Sequence, residues 1–430
     1  MEVRPKPGRV GAVAHQRRED ISLGLLRELT AVATIETDIL IVGGGIAGSA
    51  LACALRHAGY RIVLVECRTK PLDTARGDHL QPYTVQLLDR WGVLQTFFAR
   101  GAGKRNGAEY RTPSGEVLLS CSYDELPLKH PYYLVFHHEL IASLFTELAA
   151  ENPNFLLLQP VTARQFQVGD EGIRALEVTL PDETTATIKA HLVVGADGTN
   201  SVVRSAVGIA SDEYVYDHPF VTLFGPKPEP NPRRYIIMYV GLKGIVVVIP
   251  RMGHQVKVGL PIRSEDIPFW KRSTSEQRAQ VLAERAEILR GFESELAGFY
   301  PIRMVNAHQH YWENVVLIGD AAHSVHPARG QGMNIAIRGI QSLIECLPPP
   351  SEMSHSEKLK LALQHYQDRQ RPLTDEIIAK NHGAALDMDT TTEESLMRRI
   401  QQFRQVHQNP ELRKQYLLET SGYPFGLPGQ

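Results

Sequence analysis

The stretch Thr37–Gly48, TDILIVGGGIAG, leaves this chain very few folds to choose from. An apolar run ends in Gly43-x-Gly45-x-x-Gly48, and Ala50, Leu51, Ala54 and Leu55 follow at helical spacing until Gly59. A second apolar run, Ile62–Val65, then ends on Glu66. Strand, turn, helix and strand in that order build a right-handed parallel unit whose first turn points backbone N–H groups at an anion. Gly43 permits the tight turn, Gly45 lets a pyrophosphate approach the backbone, and Gly48 lets helix and strand pack closely. Ile46 and Ala47 complete the candidate phosphate turn at the helix start. Glu66, twenty-three residues after Gly43, stands where an acid accepts hydrogen bonds from ribose hydroxyls. The spacing predicts a Rossmann-type lobe that binds one dinucleotide.

Two later motifs sit in the same kind of context. Val193–Arg204, VVGADGTNSVVR, runs from a strand ending at Val194 into a turn at Gly195, Asp197 and Gly198, with Ser201 and Arg204 on the helical turns beyond. By itself this reads equally as an Asp-Gly turn capping a helix. Gly319–Asn334, GDAAHSVHPARGQGMN, follows the apolar run Val315–Ile318 and leads into a helical pattern through Ile335, Ile337, Ile340, Leu343, Ile344 and Leu347. It brings one acid, Asp320, and two glycines, Gly330 and Gly332, to a helix entry, where unpaired N–H groups favour an anion.

Taken together, these motifs resemble the group A flavoprotein monooxygenases, the para-hydroxybenzoate hydroxylase-like family, over about Thr37 to Pro372. That family carries GxGxxG near its start, a DG motif in the middle (here Asp197-Gly198-x-x-Ser201-x-x-Arg204) and a GD motif later (here Gly319-Asp320). The resemblance implies tightly bound, non-covalent FAD, with NAD(P)H and O2 as co-substrates. It also implies oxygen transfer through a flavin C4a-hydroperoxide to an aromatic ring. Arg76 matches an arginine near the flavin pyrophosphate, and Gln364–Pro372 matches the family's stretch after the last core helix. By the same matching, Asp320 bonds a ribityl hydroxyl. Gly332, Met333 and Asn334 aim backbone N–H groups at the flavin N1–O2 edge. Asp197 orders the loop beside the ribityl chain. Pro327 lies at the flavin face as the one catalytic candidate; its plain alternative is a turn proline before a helix. Two positions depart from the pattern. His137 stands where many relatives have Arg or Gln on the flavin chain, and Arg338-Gly339 replaces a frequent Asp-Ala pair.

Size and composition agree with this reading and exclude others. At 430 residues two or three lobes are expected, and a 43% hydrophobic content is ordinary for a globular chain. A net charge of −2 gives no field for nucleic acid or an anionic membrane. Cys53, Cys67, Cys121 and Cys346 form no CxxC, so a reducing, cytoplasmic setting is expected. No apolar run reaches transmembrane length, and the histidines follow no zinc spacing, so no metal is expected.

The expected architecture is α/β, with a β-rich substrate lobe inserted into the FAD lobe and helices at the C-terminus. Its boundaries are a flexible extension over 1–36, the FAD lobe over 37–205 and 305–347, the substrate lobe over 206–304, and a helical region over 348–430. A β-meander over 160–190 re-enters the FAD lobe. A strand near 115–122 is expected in that lobe, and 273–296 reads as helix. Tyr235, Tyr239, Arg251 and His254 are substrate-pocket candidates, although packing or solvation explains each as readily. Phenols, quinolones and polyketide-like aromatics of specialised metabolism are the expected substrate classes, by hydroxylation or epoxidation. Three alternatives share the fold or the cofactor: a halogenase, an isoprenoid reductase, and a non-catalytic flavoprotein. The halogenase signature Trp-x-Trp is missing, because Trp91, Trp270 and Trp312 never fall two apart.

Overall fold

The computed structural model describes residues 33–69, 77–228, 235–389 and 392–423. Ala33–Val42 forms the centre of the first sheet. It pairs in parallel with Ile62–Val65 on one side and Thr185–Gly195 on the other. Phe155–Leu158 and Val315–Leu317 extend the parallel set outward. Both faces are covered. Ile39 and Ile41 face the helices Ile46–Ala54, His138–Ala149 and Gly332–Cys346, while Leu40 and Val42 face a second core with Leu176, Ile188 and Val203. Burial on both sides explains why these strands read as unbroken apolar runs. The central strand begins at Ala33, where Ala33 pairs with Ala186, so ordered structure starts ahead of the expected boundary at residue 37. The predicted meander is present as Thr162–Gly169, Gly172–Thr179 and Thr185–Gly195 in antiparallel succession.

The second sheet has seven strands and is antiparallel apart from one pair. Phe220–Pro226, Tyr235–Gly241, Gly244–Pro250 and Gln255–Pro261 lie in it, as the short β-rich runs suggested. Glu295–Tyr300 closes one edge. The expected helix over 273–296 is shorter, Ser275–Ala283; the chain then passes through a single turn, Glu287–Leu289, and Gly291 at φ +71° into that edge strand. At the other edge stand Gly107–Arg111 and Val117–Ser122. This hairpin was expected with the first lobe. Its backbone pairs with Tyr235–Gly241, so the 37–205 stretch contributes to both sheets.

Ser356–Asp389 is one long helix that carries Pro372 inside it. Glu393–Gln408 and Pro410–Ser421 then fold back over the hairpin. Phe403 stacks on Tyr110 with centroids 4.2 Å apart, and the Tyr416 and Tyr110 hydroxyls share a hydrogen bond of 2.7 Å. The polar C-terminal stretch thus covers the outer part of the second sheet.

Candidate active site

The strand order lays the three motifs side by side. Val42, Val65, Gly195 and Leu317 end neighbouring parallel strands in matched register. The next residues in each chain segment are therefore Gly43, Glu66, Ala196 and Ile318. Backbone bonds continue past the ends: Gly43 N–H donates to Val65 O at 2.8 Å, Ala196 N–H to Val42 O at 2.8 Å, and Ile318 N–H to Gly195 O at 2.9 Å. The carboxyl edge of an open parallel sheet is where ligands of this architecture bind.

The three fingerprint glycines separate by what surrounds them. Gly43 has φ +107°, and a Cβ there would stand 2.4 Å from Ala196 O. A Cβ at Gly48 would stand 2.0 Å from Gly43 O. Both are required by the protein's own packing. Gly45 has ordinary extended backbone, and a Cβ there would meet nothing within 4 Å among the described residues. Its open face lies at the N-cap of Ile46–Ala54, where no side chain of the described residues caps the helix. The first N–H groups of that helix, Ile46 and Ala47 included, have no intrahelical acceptor. Glu66 is buried at the next strand end and accepts from Gly44 N–H at 2.7 Å and Arg68 N–H at 2.7 Å. An open glycine, helix-start N–H donors without intrahelical acceptors and a carboxylate at the adjacent strand tip are the features a dinucleotide needs.

Asp197 is occupied within the protein. Its carboxylate accepts from Ser201 Oγ at 2.6 Å and from Val202 N–H at 2.7 Å, fixing the start of the short helix Val202–Ala206. From the same helix Arg204 reaches across and donates to Ala321 O at 2.8 Å. The DG motif thereby holds the GD loop. Gly319 has φ +57°, and a Cβ there would lie 2.6 Å from Ala47 Cβ, so the GD loop also abuts the fingerprint helix. Asp320 is half-buried in the turn Gly319–Ala321, beside this junction.

Pro327 opens the single turn Pro327–Arg329, and His326 Nδ1 accepts from Ala328 N–H at 3.0 Å. Gly330 then adopts left-handed backbone at φ +60°, where a Cβ would strike His79 Nε2 at 2.3 Å. The chain enters Gly332–Cys346 through Gln331, which supplies no side-chain cap. Gly332, Met333 and Asn334 are its first three residues, so their N–H groups are the unpaired ones. The Asn334 side chain is fully engaged: Oδ1 accepts from Gln81 N–H at 2.8 Å and Thr84 Oγ1 at 2.7 Å, while Nδ2 donates to Gly330 O at 2.8 Å. Arg76 lies outside the described residues.

His137 sits at the N-cap of His138–Ala149, and its Nδ1 is 2.5 Å from the Arg251 guanidinium. Arg251 belongs to a buried charge cluster between the two sheets. Asp78, completely buried, faces Lys257 Nζ at 2.8 Å and Arg251 Nε at 3.0 Å, the latter out of hydrogen-bond alignment. Arg251 also approaches Glu139 at 3.2 Å, and its guanidinium lies over the Phe224 ring at 4.4 Å. Burial pushes Glu139 up, but the His137 hydrogen bond, its own backbone and the Arg251 charge outweigh that and hold it at about 2. Burial draws the Lys257 ammonium below its usual range, and Asp78 opposes the shift. Asp78, Glu139 and Lys257 escaped the sequence reading. The usable signal was Lys257, a lone charge inside an apolar strand, because such a residue needs a buried counter-ion.

The other pocket candidates scatter. Tyr239 is packed in the core of the second sheet and Tyr235 beside it. His254 lines a cavity of about 1230 Å³ between Phe224–Pro226 and the helix Ser275–Ala283. None of the glycine-motif residues borders that cavity. Among the described residues no group of three or more His, Cys, Asp or Glu is arranged to hold a metal. No helix there is long and apolar enough to cross a membrane.

The family model described as FAD binding domain matches residues 36–380. Among curated proteins, the ubiquinone hydroxylase UbiL of Rhodospirillum rubrum is 27% identical over 358 residues, covering 80% of each chain. The 6-methylpretetramide 4-monooxygenase of Streptomyces rimosus is 27% identical over 319 residues, covering 70% of this chain and 73% of that one. Among solved structures, the p-nitrophenol 4-monooxygenase PnpA of Pseudomonas putida superposes with a TM-score of 0.77 at 21% identity, over 92% of this chain and all of that one.

Proposed function

The chain belongs to the FAD-binding-domain family of flavoprotein monooxygenases, the para-hydroxybenzoate hydroxylase-like group, and from that membership we propose that it uses NAD(P)H and O2 to hydroxylate or epoxidise a small aromatic molecule. The observation that carries the reading is the convergence of Gly43, Gly45, Glu66, Asp197 and Gly319–Asp320 at the carboxyl ends of adjacent parallel strands. Phenol-, quinolone- and polyketide-like rings are the substrate classes we favour. A relative named 6-methylpretetramide 4-monooxygenase and a fold neighbour named p-nitrophenol 4-monooxygenase lend that range support. A reducing, cytoplasmic setting is part of the proposal and rests on four unpaired cysteines.

Bound FAD would accept hydride from NAD(P)H and activate O2. The chain's own groups bind, orient and shield. Ile46 and Ala47 offer N–H groups to the pyrophosphate across the open face of Gly45. Glu66 accepts from the ribose, and Asp320 from the ribityl chain. Gly332, Met333 and Asn334 direct N–H dipoles at the edge where negative charge develops on reduction, at no cost of reorganisation. The fixed Asn334 side chain keeps those donors aimed. Asp197 acts indirectly, by capping the helix from which Arg204 steadies the GD loop. Pro327 walls the flavin face. At the departure site, the His137–Arg251 pair brings a cation from the second sheet to the place where relatives use Arg or Gln.

The test is NAD(P)H oxidation with O2 uptake across a panel of aromatic compounds. An oxygenated product formed with matched O2 consumption is expected, with flavin reduction accelerated by the productive ligand. A protein that holds FAD yet consumes no O2 on reduction would be a reductase or a non-catalytic flavoprotein.

A further inference from the structure

His79 stands where three elements meet. It opens the short strand His79–Leu80, which pairs with Tyr133–Val135 in a three-stranded sheet. Directly paired residues share a face, so His79 lies on the side of Val135, and its ring meets Tyr133 edge-on with centroids 5.1 Å apart. Tyr133 and Val135 pack against Ile236 and Ile249, so this side of the small sheet faces the second sheet. The third neighbour is the turn that carries Pro327. His79 Nε2 abuts Gly330, where a Cβ would come within 2.3 Å of it.

The facing part of the second sheet is not filled. Tyr110, Met238 and Val247 stand in one row across three strands, and Gly259, which has no side chain, continues it. Met238 and Val247 are only partly buried, although Ile236, Val240, Ile245 and Ile249, on the same strands and the same face, are buried. Side chains in the middle of a covered sheet keep accessible area only where the covering layer leaves a gap. His79 is partly exposed as well. Its Nδ1 is sealed off and has no hydrogen-bond partner among the described residues, so the open edge of the ring is the one that carries Nε2.

Burial pushes His79 down to about 4, with Asp78 raising it and Lys257 lowering it, so at pH 7 the ring is neutral and holds a single N–H. The two charges that act on it are spent on each other, Lys257 Nζ to Asp78 at 2.8 Å. A proton on Nδ1 would be a sealed donor without an acceptor. A proton on Nε2 leaves Nδ1 as an unsatisfied acceptor, which is the less costly state. The N–H therefore sits on Nε2 and opens on the gap beside the Pro327 turn.

We propose that His79 determines specificity for the substrate's oxygen: its Nε2–H donates to a hydroxyl or carbonyl oxygen on an aromatic ring bound in this gap, with Met238 and Val247 against the ring. The inference rests on the aromatic-substrate reading and adds to it a required ring oxygen. A site built to meet a substrate oxygen discriminates against the analogue that lacks it, because the donor is then left unpaired.

The test uses full-length, FAD-loaded protein and reads binding from the flavin difference spectrum. A panel of phenols, naphthols and hydroxyquinolines is screened, and the tightest binder is compared with the same ring lacking its oxygen. The wild type should bind the oxygenated ring roughly tenfold or more tightly. His79→Leu, no larger than the native side chain and without a donor, should bind both rings alike with its flavin content unchanged. His79→Gln keeps an N–H close to the Nε2 position and should retain most of the preference. A preference undiminished in His79→Leu, or absent from the wild type, would overturn the role of His79 and leave the aromatic reading standing. A preference lost as fully in His79→Gln as in His79→Leu assigns it to the shape of the ring and equally overturns the donor. A panel without a single binder overturns the aromatic reading itself, and this inference with it.

Discussion

At the scale of single residues, the glycines show that one motif holds two kinds of necessity. Gly43 is required by the fold and Gly45 by whatever occupies the groove, and their substitutions should separate cleanly. Gly43→Ala forces a Cβ to 2.4 Å from Ala196 O at φ +107°, so it should destabilise the protein by about 1–3 kcal/mol and lower its melting temperature. Gly45→Val places its Cβ in space left open by the described residues, on ordinary backbone, so the flavin-free melting temperature should hardly change. FAD affinity should fall by roughly ten- to hundredfold, ~1.4–2.8 kcal/mol, as seen in fluorescence titration. Equal FAD affinity in Gly45→Val would remove this groove from the cofactor. The buried cluster gives a second contrast. Lys257→Met leaves the buried Asp78 carboxylate with the misaligned Arg251 and one backbone donor, His138 N–H at 3.2 Å, and should cost about 3–5 kcal/mol in chemical denaturation. The double variant Asp78→Asn, Lys257→Met should recover much of that loss, because the uncompensated charge is gone.

At the scale of elements, the helix Val202–Ala206 depends on Asp197 for its start. Asp197→Ala removes the acceptor for Ser201 Oγ and two backbone N–H groups and should cost about 0.5–2 kcal/mol. If Arg204 then releases Ala321 O, FAD should also dissociate faster, although Asp197 need not touch it. Stability lost with unchanged FAD release would confine Asp197 to capping. Element identity was legible where periodicity and glycine chemistry act locally, as in the fingerprint unit, the meander and the GD helix. Partnership was less legible. The hairpin Gly107–Ser122 precedes the DG motif, yet its edge hydrogen bonds are met by Tyr235–Gly241, more than a hundred residues later. Nothing local in the sequence records that pairing. The helix expected over 273–296 is present only as Ser275–Ala283, and its far end belongs instead to strand Glu295–Tyr300, held by its neighbour Phe220–Pro226 rather than by local propensity. The cluster of Asp78, Arg251 and Lys257 was hidden likewise, since its members come from segments that meet only once both sheets are built.

At the scale of the whole molecule, the histidines set the acid limit. His79, His323 and His326 are pushed down to about 4 and His310 to about 3, each chiefly by burial. Their environments favour the neutral ring. His326 Nδ1 accepts a hydrogen bond from Ala328 N–H, and neither nitrogen of His310 has a partner among the described residues. The unfolded chain takes up protons at the ordinary value of 6.5, whereas the folded chain resists until about 4. Above the unfolded pKa both states are neutral and the groups contribute nothing. As pH falls below it, the unfolded state binds more protons and stability drops, levelling only below the folded values. Each such group is worth up to roughly 3–5 kcal/mol, a sizeable part of a typical net stability of ~5–15 kcal/mol. The carboxylates act later. Glu139, held at about 2, loses its contribution only as pH falls from its ordinary value of 4.5 through that lower one. Stability should therefore decline steeply between about pH 6.5 and 4, before carboxylate protonation matters. Denaturation midpoints measured from about pH 7 to 4.5 would show this limb. His310→Phe keeps a ring beside His323 and Tyr366 and removes one titrating group. It should flatten the slope by at most one proton, ~1.4 kcal/mol per pH unit. A flat profile down to about pH 5 in the wild type would mean that these rings gain protons in the folded state without penalty.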